Sequence, residues 1–406
     1  MRILFVHQNM PGQFRHLAAH LARQPGNQVV FLTRRADVRI EGVTRVSYKP
    51  ARQPNRATHH YLLRSEDAVL HGQAVARAVV TLKEQGFLPD LVVAHPGWGE
   101  ALFLKDVLPR TPLLSHCEFY YRGHGADLGF DPAETLELDA VLRARMRSGH
   151  LLLSLDACDR GWAPTAWQKS VHPSAYRSKI AVVHEGIDTQ ALVPRPDARL
   201  ELPDGTALSR GDEVVTYVAR NLEPYRGFPS FVRALPAILD QRPKARVLIV
   251  GGDEISYGGP PREGGTWREV MAREVPLDPA RVLFLGRLPY DRFLDVLAVS
   301  AVHVYLTYPF VLSWSMLEAM SLGAAVVGSR TAPVEEVIDD GRNGLLVDFF
   351  QPAMIAERAV ALLADRERRD ALAAAGRATV QAGYDLRRCM AAQLRLLEET
   401  MAGTWL

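Results

Sequence analysis

Residues 305–329 read YLTYPFVLSWSMLEAMSLGAAVVGS, and few architectures can hold such a stretch. It begins as the end of an apolar strand, Ala301 to Leu306, and breaks at Pro309, which cannot donate to a sheet ladder. Ser313 is placed to cap a helix running to about Leu322, because a serine hydroxyl can take an orphan amide of the first turn. Gly323 closes that helix, and Ala324 to Gly328 reads as the next strand. Strand, loop, helix start and strand in this order fit a doubly wound α/β sheet. The helix start offers unpaired amides and the positive end of a dipole, which suit a phosphate. Glu318, about one turn inside, has a carboxylate able to accept hydrogen bonds from sugar hydroxyls. Together they would fit a nucleotide diphosphate with its ribose. Most helix starts in such sheets hold only water, and a lone glutamate on a helix is ordinarily solvated, so the stretch needs its context.

At 406 residues the chain is long for one core, and two domains of near 200 residues are expected. The balance of 48 basic and 46 acidic side chains argues against a dedicated nucleic-acid binder. Three cysteines, Cys117, Cys158 and Cys389, stand far apart and give neither a disulfide framework nor a zinc spacing, which suggests a reducing compartment. The apolar run Ile3 to Val6 gives way at once to His7, Gln8 and Asn9, too short for the core of an export signal. No stretch approaches the ~18 apolar residues of a spanning helix. A cytoplasmic location is the expectation.

In chain order, Arg2 to His7 is a buried parallel strand by its continuous apolar character. A turn at Asn9–Gly12, a helix with Phe14, Leu17, Ala18 and Leu21 on one face, and a strand from Gln28 to Thr33 follow. The unit resembles those of nucleotide-binding sheets but lacks the full G-x-G-x-x-G pattern, which disfavours a dinucleotide cofactor. From Arg34 to Arg64 eight basic residues meet only Asp37 and Glu41. The bland reading is an exposed solvated loop; the functional one is attraction to an anionic membrane surface or an acidic acceptor. A long helix is expected from the sixties to Glu84, a strand from Asp90 to His95, a helix from Trp98 to Val107, and a strand from Pro112 to His116.

That last strand runs into an irregular, aromatic and polar segment, Ser115 to Pro132, at the edge where open α/β sheets bind ligands. His116 and His124 are candidates for touching a sugar or handling a proton, although a histidine ending a strand is more often a satisfied core residue. Ala133 to Leu153 reads as one long helix. Beyond Glu185-Gly186-Ile187-Asp188, a crowd of Pro194, Pro196, Pro203, Asp204 and Gly205 marks a linker. The second half repeats the grammar of the first. Its strands are expected at Val214 to Ala219, Arg246 to Gly251, Arg281 to Leu285 and Leu345 to Val347, around the element described first. Helices at roughly 352–364 and 367–382 precede a last amphipathic helix from near Asp385.

Four segments, VARNLEPYRG (218–227), VLFLGRLP (282–289), SWSMLEAMSLGAAVVGS (313–329) and APVEEVIDDGRNGLLV (332–347), with HEGID (184–188) before them, resemble in order and spacing the glycosyltransferases of family 4. The resemblance covers nearly the whole chain and is strongest in its second half. It implies an α/β GT-B fold, two Rossmann-like doubly wound domains facing across a cleft. An acceptor-side domain would take residues 1–188 and a donor domain 189–384, with a helix over 385–406 crossing back to the first.

It also implies roles. Arg220 and Arg226 match the family's basic pair facing the donor diphosphate, although lysine is usual at the second place and the interval is a residue longer than common. Arginine keeps the charge and adds a planar fork. Leu288, after Gly286, falls where main chain meets the base. Glu318 matches the glutamate that binds ribose. Ser313 and Trp314 would offer amides to phosphate, Gly12 would let a first-domain loop approach the donor, and His116 sits where relatives carry a histidine near the reacting sugar.

One departure is clear. Relatives carry a further glutamate eight positions before Glu318, and this chain has Phe310 there. Either another group, such as Glu118 or a main-chain amide, takes its place, or the chain binds without turning over. The expected reaction is retaining transfer of a sugar from a nucleotide diphosphate donor, uracil being the expected base, to a hydroxyl of a glycan or lipid-linked acceptor. No cofactor and no essential divalent ion are expected. The alternatives are a sugar-nucleotide 2-epimerase of the same fold and a non-catalytic nucleotide-sugar-binding partner.

Overall fold

The computed structural model describes residues 1–202 and 205–403. Contacts divide the chain into two compact units, Met1–Gly186 together with the chain from Arg387 on, and Ile187–Leu386.

The first unit is built on a seven-stranded sheet: β1 (Arg2–Val6), β2 (Gln28–Thr33), β3 (Val43–Ser47), β4 (Leu91–Ala94), β5 (Leu113–His116), β6 (Arg160–Ala163) and β7 (Ile180–Val182). The order is β3-β2-β1-β4-β5-β6-β7, and every pairing is parallel. Ile3 lies in register with Val29 on one side and Leu91 on the other. Both faces of β1 are covered, so Ile3 to Val6 are fully buried and the strand reads as a run of apolar residues rather than an alternation. Each such side chain taken wholly out of water contributes roughly 1.5–3 kcal/mol. Val75, Val79 and Leu82 of the helix Leu63–Glu84 seal one face over Leu4, Val30 and Val92. The closing helix Leu386–Ala402 belongs to this unit beyond its first residue, and Gln393 donates from Nε2 to the carbonyls of His184 and Glu185, both at 3.0 Å.

The second unit starts with an antiparallel ribbon, β8 (Arg199–Glu201) with β9 (Ala207–Ser209). A six-stranded parallel sheet follows: β10 (Val214–Asn221), β11 (Arg246–Gly252), β12 (Val282–Gly286), β13 (Val302–Tyr305), β14 (Ala325–Ser329) and β15 (Leu345–Val347). Its order, β12-β11-β10-β13-β14-β15, reverses between β10 and β13, as that of the first sheet reverses between β1 and β4. Ligands in such sheets bind outside the carboxyl ends of the strands at this reversal. The two Rossmann-like doubly wound α/β domains expected from sequence are observed, each on its own parallel sheet.

Several local expectations need correction. The segment 34–64 is not all loop: β3 forms the edge of the first sheet, paired with β2. Its one charge, Arg45, and its half-exposed residues suit an edge strand and hide the pattern. Part of the positive charge is also spoken for, since Arg35 meets Asp37 and Arg52 meets Glu66. The helix expected over 98–107 shrinks to Leu104–Val107. Gly99 sits at φ +98°, where its missing Cβ would lie 2.2 Å from the Ala68 carbonyl oxygen, so this stretch turns instead of coiling. The helix expected over 133–153 is two helices, Leu138–Arg147 and Gly149–Ala157, parted at Ser148, whose hydroxyl donates to the Tyr121 carbonyl. Part of the expected linker is the β8–β9 ribbon; Pro203 and Asp204 fall outside the described residues. The three cysteines are free and buried.

Candidate functional site

At the reversal of the second sheet, the chain leaves β10 and bends through a short turn, Pro224–Arg226. The bend carries Arg226 inward, to 7% exposure. One terminal nitrogen donates to the Thr307 hydroxyl at 2.8 Å, the Val311 carbonyl at 3.0 Å and the Tyr305 hydroxyl at 3.2 Å. The rings of Tyr257 and Phe310 lie beside it, 5.4 and 5.9 Å from the guanidinium carbon. All these partners are uncharged, and Arg226 forms no ion pair among the described residues. A guanidinium stays charged at any working pH. Arg220, at the exposed end of β10, likewise forms no ion pair among the described residues.

After β13 the chain runs through Thr307 to the helix Trp314–Ser321. Ser313 caps that helix, its hydroxyl accepting from the Ser315 amide at 3.3 Å. Its own amide, expected to be available to a phosphate, instead donates to the Tyr305 hydroxyl at 2.8 Å. The correction has a physical reason: Tyr305 ends a buried strand, and its phenol oxygen requires partners there. Trp314 is half-buried at the first helical position. Glu318 is 5% exposed and accepts from the Tyr290 hydroxyl at 2.6 Å. Leu288 is half-buried after β12, beside Arg287, which donates to Asn221 Oδ1 at 2.8 Å and so ties this loop to the end of β10. Phe310 is 3% exposed, with its ring centre 4.9 Å from that of Tyr257 and 5.7 Å from that of Tyr225.

Glu223 was not singled out in the sequence, yet it organises the neighbouring loop. It is fully buried, and its Oε2 accepts from the amides of Ser256, Tyr257 and Gly258 at 3.3, 3.1 and 3.1 Å. Its Oε1 has no partner among the described residues. The carboxylate fixes the loop that brings Tyr257 to Arg226.

At the reversal of the first sheet, histidines follow β1 and β4. His7 accepts at Nδ1 from the Asn9 amide at 2.9 Å, and His95 at Nδ1 from the Gly97 amide at 3.1 Å. His7 Nε2 lies 2.8 Å from Gln13 Oε1; Gln13 Nε2 donates to Glu118 Oε1 at 2.5 Å; His95 Nε2 lies 3.3 Å from Glu118 Oε2. Burial, with His95 beside it, pushes the His7 pKa well down. For Glu118, burial works upward, but the hydrogen bond from His95 and the nearby imidazoles outweigh it and hold the carboxyl at about 2. Gly12, at φ +50°, lies so close to His7 that a Cβ there would sit 2.5 Å from Nε2.

His116 is placed in the core, at 0% exposure. Its Nε2 lies 2.9 Å from Glu185 Oε1, and its Nδ1 has no partner among the described residues. The Glu185 carboxyl is buried, which works upward, yet His116 and His184 hold it below its ordinary value. His124 is exposed. The structure therefore gathers Arg226, Phe310, Ser313, Trp314 and Glu318 around one sheet reversal, and Gly12 and Glu118 around the other. Sequence reasoning missed His7, Gln13, His95, Glu223, Tyr290, Tyr305 and Thr307. The signal for His7 and His95 was present, since each follows an apolar strand immediately. Among the described residues no cluster could hold a metal ion, and no helix is long and apolar enough to cross a membrane.

Two family models match the chain. One, described as "Glycosyl transferase family 4 group", matches residues 25–192; the other, "Glycosyl transferases group 1", matches residues 212–365. A D-inositol 3-phosphate glycosyltransferase of Corynebacterium efficiens is 31% identical over 205 residues, covering 49% of this chain and 46% of the relative. A GDP-mannose-dependent alpha-(1-6)-phosphatidylinositol monomannoside mannosyltransferase of Mycolicibacterium smegmatis is 29% identical over 223 residues, 52% of this chain and 54% of the relative. The matched segments thus span about half the length of these curated relatives. Among solved structures, sucrose-phosphate synthase from Thermosynechococcus elongatus superposes with a TM-score of 0.72 at 18% identity over 100% of both chains, a likeness of fold.

Proposed function

The chain belongs to the group 1 glycosyltransferases of family 4, and from that premise we propose that it moves a sugar from a nucleotide diphosphate to a hydroxyl of a glycan or glycolipid acceptor. One observation carries the donor half of this reading. Arg226 is a buried cation whose hydrogen-bond partners are all neutral. Burying a charge without a counter-ion costs several kcal/mol. An anion in the site offsets that cost, and the sheet reversal beside a helix start is where a diphosphate is expected.

In this reading the chemistry follows from charge. Parting a sugar from its diphosphate leaves negative charge on the leaving group, and Arg226, Arg220 and the Trp314 helix start stabilise it as it develops. Glu318 receives the ribose hydroxyls, and the main chain at Leu288 faces the base. The reaction proceeds with retention, the acceptor hydroxyl arriving on the leaving-group face and a donor phosphate oxygen taking its proton. As functional units we keep an acceptor-side domain, 1–188 with the helix from 385, and a donor domain, 189–384. Uracil is the base that the resemblance favours; the Mycolicibacterium relative, named as GDP-mannose-dependent, brings in guanine. A glycolipid acceptor would fit work at the cytoplasmic face of a membrane, where exposed Arg39, Lys49 and Arg56 would meet anionic lipid.

Phe310 favours a second reading, nucleotide-sugar binding without transfer, because an aromatic side chain stands where relatives carry a glutamate. A thermal-shift panel of UDP, GDP and ADP tests donor binding, since a ligand of the folded state raises its melting temperature. Incubation with the matching UDP- or GDP-sugars, with and without a polyol acceptor, then separates the readings. Transfer supports the enzyme, and binding with neither transfer nor donor hydrolysis supports the second.

A further inference from the structure

We infer that the Glu118 carboxylate is the hydroxyl receptor of the acceptor subsite in the first unit. His95 positions one of its oxygens, Gln13 backed by His7 positions the other, and the group it takes is a neutral polyol ring rather than a phosphorylated one. The inference rests on the transferase reading above and supplies the acceptor chemistry that reading leaves open.

The argument is one of hydrogen-bond direction. A neutral imidazole has one donor and one acceptor nitrogen. In both His7 and His95 the Nδ1 lone pair is already taken by the amide two residues on. The ring proton must therefore sit on Nε2 in each. His7 then donates to Gln13 Oε1, which fixes the orientation of the Gln13 amide. The amide nitrogen can only point to Glu118 Oε1, where it donates. His95 donates to Oε2. Two independent chains of donors, one from β1 and one from β4, end on the same carboxylate. A flipped Gln13 or the other tautomer of His7 would set donor against donor.

This wiring leaves capacity to spare. An ionised carboxylate has about four acceptor sites, and the two contacts use one on each oxygen. The side chain keeps 32% exposure, so the remaining sites can meet a ligand. Neighbouring hydroxyls on a ring present the pair of donors that such a carboxylate accepts. Trp98 lies alongside, half-buried, its ring centre 5.2 Å from that of His95 and 5.5 Å from that of His7. An aromatic ring packed on the two histidines that orient the carboxylate suits a ring with one C–H face and an equatorial rim of hydroxyls. A second carboxylate, Glu100, serves this platform. It is fully buried, with its pKa pushed up by that burial, and it accepts from the Trp98 amide at 3.0 Å and the Gln8 amide at 3.1 Å. A phosphate placed against Glu118 would face a like charge, which selects against it.

The test is saturation-transfer NMR on the full chain with myo-inositol, methyl α-D-glucoside and myo-inositol 1-phosphate as probes, beside UDP and GDP thermal shifts on the same samples. Wild type should show transfer to a neutral probe and bind it at least tenfold more tightly than the phosphorylated one. Glu118→Gln and Glu118→Ala should lose this binding at least tenfold. His95→Leu should weaken it, and His95→Gln, which restores an N–H donor, should recover most of it. The nucleotide shifts should be the same in all variants. Unchanged polyol binding in Glu118→Ala, tighter binding of the phosphorylated probe, or no transfer to either neutral probe would overturn the inference. Absence of a nucleotide shift in wild type would instead sink the donor reading.

Discussion

The guanidinium of Arg226 donates to the hydroxyl of Thr307 at 2.8 Å. That contact joins the turn after β10 to the segment after β13, across the point where the sheet order reverses. It holds a cation at the carboxyl edge with neutral oxygens alone.

Glu318 should serve the nucleoside and not the diphosphate. Glu318→Ala is expected to weaken UDP or GDP binding about tenfold, the loss of one charged hydrogen-bond acceptor, while inorganic pyrophosphate binding stays as in wild type. Titration calorimetry with both ligands checks this. Equal weakening of both would move Glu318 out of the ribose site. Tyr290→Phe, which removes the donor at 2.6 Å, should lie between wild type and Glu318→Ala.

Glu223 should hold the loop that carries Tyr257. In Glu223→Gln the carbonyl still accepts, but the charge that strengthens three amide bonds is gone. A loss of about 1–3 kcal/mol is expected. The urea midpoint should fall, and cleavage within 253–265 in limited proteolysis should speed up. Unchanged cleavage would mean that the loop holds itself.

Gly12 should be intolerant of any side chain. Gly12→Ala meets both the left-handed φ of +50° and the His7 ring, and a cost of about 1–3 kcal/mol is expected. Thermal unfolding measures it. The steric share should vanish when His7 is also replaced by alanine, so a double-mutant cycle should show coupling. Additive effects would leave only the backbone strain.

Much of this was legible beforehand. The strand–helix alternation, the Ser313 cap and the closure at Gly323 follow from local rules, because buried parallel strands announce themselves as apolar runs. The edge strand β3 did not, since half its surface faces water and its sequence, VTRVS, carries a charge. The break at Gly99 was hidden because it depends on Ala68, thirty-one positions away in the chain. At the site, charge and type were readable and partnership was not. Arg226 could be named from its segment, but its burial depends on Tyr305 and Thr307. The Ser313 amide donates to the Tyr305 phenol, a partner that the sequence around the cap does not reveal.

Acid should destabilise the fold in a window set by buried histidines. Burial holds His172 down to about 4 and His303 down to about 3. The unfolded chain protonates these rings near the ordinary value of about 6.5. Between those values the unfolded state binds protons that the folded state refuses. Stability is therefore complete above about 6.5 and falls as pH drops towards 4 and 3. At about 1.4 kcal/mol per pKa unit, His172 alone accounts for on the order of 3 kcal/mol. Urea midpoints measured from pH 7.5 to 4 should decline below pH 6.5, with a shallower slope in His172→Phe. A flat profile would contradict burial of neutral rings.

The measurement that bears most directly on the donor site is calorimetric titration of whichever of UDP or GDP binds, against wild type, Arg226→Lys and Arg226→Ala. If Arg226 is the buried counter-charge of the diphosphate, the alanine variant should bind at least tenfold more weakly, and the lysine variant should lie between it and wild type. Undiminished binding by a folded Arg226→Ala protein would contradict the account.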